Sequence, residues 1–314
     1  MHDHVPPALI IDRSDDPGRS ARIAARGPAH VYFVVSAVFH YLGPSFAVLL
    51  FARVQVLGVA WLRIVSAALI FALWRRPWRV FAGADRRDRQ LLVGWGAVLA
   101  VMNCCFYLAI RRLPLGTVAA IEFLPVIALA ALGVRSRRNG VALAMAVLGV
   151  YLLTDVRLAG APAGFVFAFA NAGLFAVYIV LADKVAKRPS VSGVDGLAAA
   201  MLVAAVVVTP LGAGQAMHAF AHPSALLAGV GVGVSSSVIP YVTDQLAMAR
   251  LPRASYATMV ALLPAIATII GIAVLRQIPT EAEGAGVVLV ISGVALQSGD
   301  RADRARPPGR RAER

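Results

Sequence analysis

Ten apolar runs divide the chain, at about 29–51, 56–73, 91–110, 115–133, 139–154, 165–183, 197–214, 226–249, 255–275 and 285–297, with short Arg-, Gly- and Pro-containing segments between them. None alternates apolar and polar residues with the period of two that marks a membrane β-barrel strand. A helix that crosses a bilayer needs about 20 mostly apolar residues, and shorter ones tilt or recruit their flanks. Lipid offers no hydrogen-bond partners, so the backbone of each run must satisfy itself, and helices are the solution left. The pattern predicts an all-α integral membrane protein with ten transmembrane helices.

Composition agrees. Of 314 residues 59% are hydrophobic and only 15% charged, whereas soluble domains are about half apolar and about a quarter charged. The net charge of +14 changes the picture through its placement. With the amino terminus in the cytoplasm, 24 of the 30 basic residues fall on inside segments; five (Arg53, Arg111, Arg112, Arg157 and Arg276) fall outside, and Arg63 lies within a run. That asymmetry follows the positive-inside rule, puts both termini in the cytoplasm and requires an even number of spans. The arginines are scattered over separate loops, which suits an anionic leaflet and argues against a nucleic-acid partner. Residues 1–28 lack the apolar core of a signal peptide and read as a disordered cytoplasmic tail, as does the basic stretch 298–314. Cys104 and Cys105 sit inside a run as small apolar residues, and no Cys/His spacing points to a metal or cofactor.

The chain also repeats itself. FYLAIRRLPLGTVAAIEFLPVIALAALG (106–133) lies over DQLAMARLPRASYATMVALLPAIATIIG (244–271) at an offset of 138, with eight of 28 positions identical and a shared Arg-Leu-Pro turn. The halves are then 29–154 and 165–297, five spans each. An odd number of spans forces the second half to enter the membrane from the opposite side. Inverted-topology repeats are the usual architecture of secondary transporters, with the site near the midplane between the halves.

Polar residues inside spans mark interior faces. Gly233, Ser237, Tyr241 and Asp244 form one helical stripe; so do Gly96, Asn103 and Tyr107, and Ser36, His40 and Gly43; Asn171 and Tyr178 share a face. Helix packing accounts for the Ser and Gly residues, while His40, Asn103, Tyr107 and Tyr241 favour a cavity lining. Gly229, Gly231 and Gly233 follow no strand and read as close helix contacts, not a nucleotide loop. Arg63 and Glu122 each stand about seven residues into an inward-running span, or about 10 Å below the outer boundary. At equal depth the two could form a buried ion pair, or Glu122 could border the substrate path, binding an ammonium or exchanging a proton. Pro125 and Pro264 offer kinks in equivalent spans.

At these residues the chain resembles the EamA-type drug/metabolite transporter superfamily, and within it the threonine/homoserine exporter (RhtA-like) subgroup. The resemblance is carried by MNCCFYLAIRRLPLGTVAAIEF (102–123), LRIVSAALIFALWRRPW (62–78), FAVYIVLADK (175–184) and SVIPYVTDQLAMARLP (237–252). It implies ten helices in two inverted five-helix repeats and export of small metabolites across the cytoplasmic membrane. Asn103, Tyr107, Pro114, Gly116, Glu122 and Phe123 keep the family's residue types; Asp244 stands where Glu is common, and His40 near a usual Gln. The chain departs from the pattern at Leu124-Pro125 (usually Gly-Pro), Leu263 (often Glu) and Arg276-Gln277 (usually Gly-Glu).

The expected function is a secondary transporter exporting a small polar metabolite such as an amino acid, with His40, Asn103, Tyr107, Glu122, Tyr178, Tyr241 and Asp244 binding substrate. No ATP-binding loop is present, and both proton coupling through Glu122 or Asp244 and facilitated diffusion are compatible with the residues. Export of amphiphilic drugs is the alternative. A membrane-embedded lipid-modifying enzyme would need clustered Asp, His or Glu, and His218 and His222 have no third ligand nearby in sequence.

Overall fold

The computed structural model describes residues 29–125, 137–155, 161–186, 188, 191, 193–248 and 262–304. Among the described residues all regular structure is helical: α1 (Ala29–Leu50), α2 (Val56–Arg75), α3 (Trp78–Gly83), α4 (Arg86–Ile110), α5 (Leu115–Glu122), α6 (Arg137–Asp155), α7 (Pro162–Ala186), α8 (Gly193–Phe220), α9 (Pro223–Gly233), a π-helical turn (Val234–Val238), α10 (Ile239–Met248), α11 (Leu263–Leu275) and α12 (Glu281–Arg304). Each of the ten apolar runs coincides with helix, wholly or in part. Among the described residues, six stretches are long and apolar enough to cross a bilayer: His30–Leu50, Val56–Arg75, Arg86–Ile110, Pro162–Ala186, Val194–Met217 and Pro223–Thr243; Gly140–Leu153 and Leu263–Leu275 are apolar but shorter. The second part of the run 115–133 and the first part of 255–275 lie outside the described residues, as does the 1–28 tail.

Local chemistry sets the helix ends. Asp85 caps α4, its carboxylate accepting from the Asp88 N–H at 2.7 Å. Thr280 and Glu283 form a reciprocal box at the start of α12: the Thr280 N–H donates to Glu283 Oε2 at 2.8 Å, and the Glu283 N–H donates to the Thr280 hydroxyl at 3.3 Å. The carboxy-terminal segment departs from its expected disorder. Helix α12 continues past Ser298 to Arg304, since Gln, Ala and Arg favour helix and no proline intervenes before Pro307. An unexpected short helix, α3, follows Pro77 and leaves Trp78 half exposed beside the half-exposed Trp74, the placement of aromatic side chains that border a membrane.

Helix α6 packs along α12, α8 along both α2 and α4, and α7 against α4 and α5; the α9–π–α10 segment packs on α1 and α2, and α11 on α1 and α5. No hydrophobic drive separates helix from lipid, so close contact depends on small residues. Gly149 of α6 and Gly286 of α12 show this: a Cβ on either would stand 2.6–2.7 Å from the other's carbonyl oxygen. Large apolar side chains such as Leu73, Val206 and Leu227 stay exposed on the outside of the bundle, where a bilayer would meet them.

Helices α2 and α11 both end on arginine in the left-handed region, Arg76 at φ 50° and Arg276 at φ 55°. The turn after α11 wants a glycine, and an L side chain there costs about 1 kcal/mol or more. Arg276 is exposed and its side chain has little packing to lose. Arg276→Gly is expected to stabilise the folded protein by about 0.5 kcal/mol, the relieved strain of about 1–2 kcal/mol less the roughly 0.4–1 kcal/mol by which glycine favours the unfolded chain, read as a higher midpoint of thermal unfolding in detergent; a lower midpoint contradicts the strain argument.

Candidate functional site

A cavity of about 550 Å³ lies at the centre, lined from α1, α2, α4, α5, α7, α8, α10 and α11. It runs from Arg63 and Glu122 to Asp183 and Ala186 at the end of α7. One wall is aromatic: Trp95 packs on Tyr178 (ring centroids 5.6 Å apart), Tyr178 stacks on Phe175 (6.3 Å) and Phe175 meets Phe123 edge-on (6.3 Å). Facing it are polar groups from α1, α2, α4 and α5.

Arg63 owes its position to a proline. Pro240 has no N–H, so the carbonyl four residues back, that of Ser236, loses its α-helical donor. The helix widens there into a π turn, with the Ile239 N–H reaching back five residues to Val234. Arg63 Nη2 donates to the freed Ser236 carbonyl at 3.3 Å, and its Nε donates to Ser237 Oγ at 3.3 Å. The guanidinium lies over the Tyr107 ring, 5.5 Å from the centroid. The same proline's own carbonyl accepts from the Ser36 hydroxyl at 3.2 Å, tying α1 to the turn.

Glu122 is the last residue of α5, and the chain turns at Phe123. Its Oε1 accepts from Asn171 Nδ2 of α7 at 3.0 Å. Asn171 is fully buried, and its Oδ1 has no hydrogen-bond partner among the described residues. The ion pair expected between Arg63 and Glu122 is absent among the described residues: both line the cavity, and each is held by a different helix. Equal depth brought the two to one chamber. The π turn gave Arg63 its partners, and α7 gave Glu122 its own.

Of the other residues expected at the site, His40, Asn103, Tyr178 and Tyr241 line the cavity. Asn103 Nδ2 donates to the Leu99 carbonyl at 2.8 Å, which leaves its amide oxygen as an acceptor. Tyr107 does not line the cavity. It is fully buried against Arg63, Phe51 and Phe106, and the Arg63 guanidinium, which itself lines the cavity, lies over its ring. The Asp244 side chain lies outside the described residues. Pro125 stands two residues past the turn at Phe123, and Pro264 stands in the first turn of α11; the kinks expected at them involve the adjoining parts of both spans, which lie outside the described residues. Asn171, Trp95, Phe123 and Phe175 were not foreseen as lining residues, although Asn171 shared a predicted face with Tyr178.

Residues 162–299 match the EamA-like transporter family. The chain is 33% identical over 243 residues to the threonine/homoserine exporter RhtA of Salmonella typhimurium (strain LT2), spanning 75% of this chain and 79% of that protein. The protein of the same description from Escherichia coli (strain K12) is 32% identical over the same spans. A protein of known crystal structure, 17% identical, shares the fold with a TM-score of 0.56 over 88% of this chain and 99% of its own. These similarities, with a bundle of helices of membrane-spanning length around a central cavity, place the chain in the EamA-like transporter family of the drug/metabolite transporter superfamily, as a membrane transporter and not an enzyme.

Proposed function

We propose that the chain is a secondary transporter that exports a small polar metabolite of the amino-acid class across the cytoplasmic membrane by alternating access. The observation that carries this is the central cavity, built by both halves of the chain and holding buried groups of opposite charge. The relatives described as threonine/homoserine exporters supply the substrate class.

Ten spans in two inverted repeats fit the packing. Take α1, α2, α4, α5 and α6 as equivalent to α7, α8, α9–α10, α11 and α12. Exchanging the halves turns the α4–α7 contact into α1 with α9–α10, α4–α8 into α2 with α9–α10, and α5–α7 into α1–α11; α2–α8, α5–α11 and α6–α12 map onto themselves. Such exchange is what a two-fold axis in the membrane plane requires.

With both termini in the cytoplasm, the described state reads as inward-facing. The cavity reaches the inner end of α7, while the outer ends of the halves are tied together. Gln277 Oε1 accepts from the Leu115 N–H at 3.0 Å, and Gln215 Oε1 accepts from the Leu57 N–H at 3.2 Å. In both pairs a glutamine of the second half caps the first turn of a helix in the first half. Gly116 meets Thr268 beside the first pair.

In proteoliposomes loaded with threonine, the protein is expected to accelerate efflux over protein-free vesicles. Movement of amphiphilic cations without any amino acid would overturn the substrate class and keep the fold. The same assay with an imposed pH gradient separates proton coupling through Glu122 from facilitated diffusion. The outer ties predict a second result. Replacing Gln215 and Gln277 by leucine removes two hydrogen bonds, each worth about 1 kcal/mol, and should favour the outward-open state by about thirtyfold. A cysteine at Thr117, with Cys104 and Cys105 changed to serine, would then react correspondingly faster with a membrane-impermeant maleimide from outside; an unchanged rate removes the glutamines from the gate.

A further inference from the structure

Two groups in the cavity have bonding capacity that the protein leaves unused, and they are of opposite kind. Arg63 has five N–H donors, and among the described residues its hydrogen bonds engage only Nε and Nη2. Glu122 commits Oε1 to Asn171, which leaves Oε2. Asn171 Oδ1 is buried and unpartnered. Glu122 and Asn171 thus present acceptors joined by their own hydrogen bond, a site that asks for a donor cation. Arg63 is a donor-only group that asks for an anion. A direct ion pair would have cancelled both demands, and the π turn and α7 hold the two apart instead.

We infer that the cavity selects zwitterions: Arg63 receives the substrate carboxylate, and Glu122 with Asn171 receives its ammonium. This rests on the cavity being the transport site. An ammonium has three N–H donors, suited to a carboxylate oxygen plus an amide oxygen; a carboxylate suits the planar fork of a guanidinium. A lone cation would leave Arg63 uncompensated in a membrane interior, and a lone anion would leave Glu122 so. A molecule carrying both charges satisfies both at once. The aromatic wall at Phe123, Phe175 and Tyr178 then faces the apolar part of the side chain.

The test is competition against radiolabelled threonine transport in proteoliposomes by two analogues, threoninamide without the carboxylate and N-acetylthreonine without the ammonium. For the unaltered protein each analogue should compete about tenfold or more weakly than threonine, the effect of losing one charged hydrogen-bonded contact. Arg63→Gln should erase the preference for threonine over threoninamide and keep that over N-acetylthreonine. Glu122→Gln should do the reverse. Asn171→Ala, which removes no charge, should shift in the same direction as Glu122→Gln by a smaller factor. Should Arg63→Gln fail to fold, as judged by gel filtration, Arg63→Lys keeps the charge and loses the fork, and is expected to weaken the discrimination against threoninamide. Threonine transport with equal competition by all three compounds overturns the zwitterion site and leaves the amino-acid transporter standing. So do variants that keep both preferences. Absence of any amino-acid transport overturns both.

Discussion

A charge placed inside a bilayer must be met by protein, because no water is there to meet it. That constraint organises the centre of this molecule. Pro240 removes one backbone N–H, the helix opens by one residue, and a carbonyl is left without its donor. Arg63 supplies the donor. The same contact anchors the guanidinium at the wall of the cavity, with the Tyr107 ring beneath it. A single missing hydrogen thus fixes a charged side chain in a place where it would otherwise have to find a carboxylate. Glu122 is correspondingly left to Asn171. The two charges can share a chamber without neutralising each other because each was satisfied from a different direction.

Closeness of helices rests on a different economy of atoms. Where α6 and α12 cross, glycine faces glycine and the backbones touch. At the first turns of α2 and α5, glutamine side chains from α8 and from the turn after α11 satisfy backbone amide groups. Backbone contact without side chains resists sliding, whereas side-chain caps can be exchanged for water at modest net cost. The bundle therefore has permanent seams and conditional ones.

Much of the helical layout was legible in the sequence, because long apolar runs have few structural options and a bilayer-sized helix is the main one. Depth was legible too: counting residues from the start of two runs put Arg63 and Glu122 at one level, and they do line one cavity. Direction around the helix axis was not. Asn103 and Tyr107 share a helical face, yet one borders the chamber and the other is sealed beneath Arg63, since a stripe specifies a side and not which side chain of another helix will cover it. Pro240 was readable as a lost donor, but the identity of its replacement depended on which helix lay opposite. The extension of α12 to Arg304 was missed because charge was weighed over helix propensity.

The π turn has one more consequence. On the proposed equivalence of the halves, its counterpart at 96–100 lies within α4, an uninterrupted α-helix. Two identical halves related by a two-fold axis would make the inward- and outward-facing forms superimposable by that rotation and equal in free energy, and a carrier so built would have no preferred resting state. One extra residue in a single turn, with an arginine attached to it, breaks that equality. On that proposed equivalence the turn is a built-in bias: a departure from symmetry, small in atoms, by which the two forms would differ in free energy.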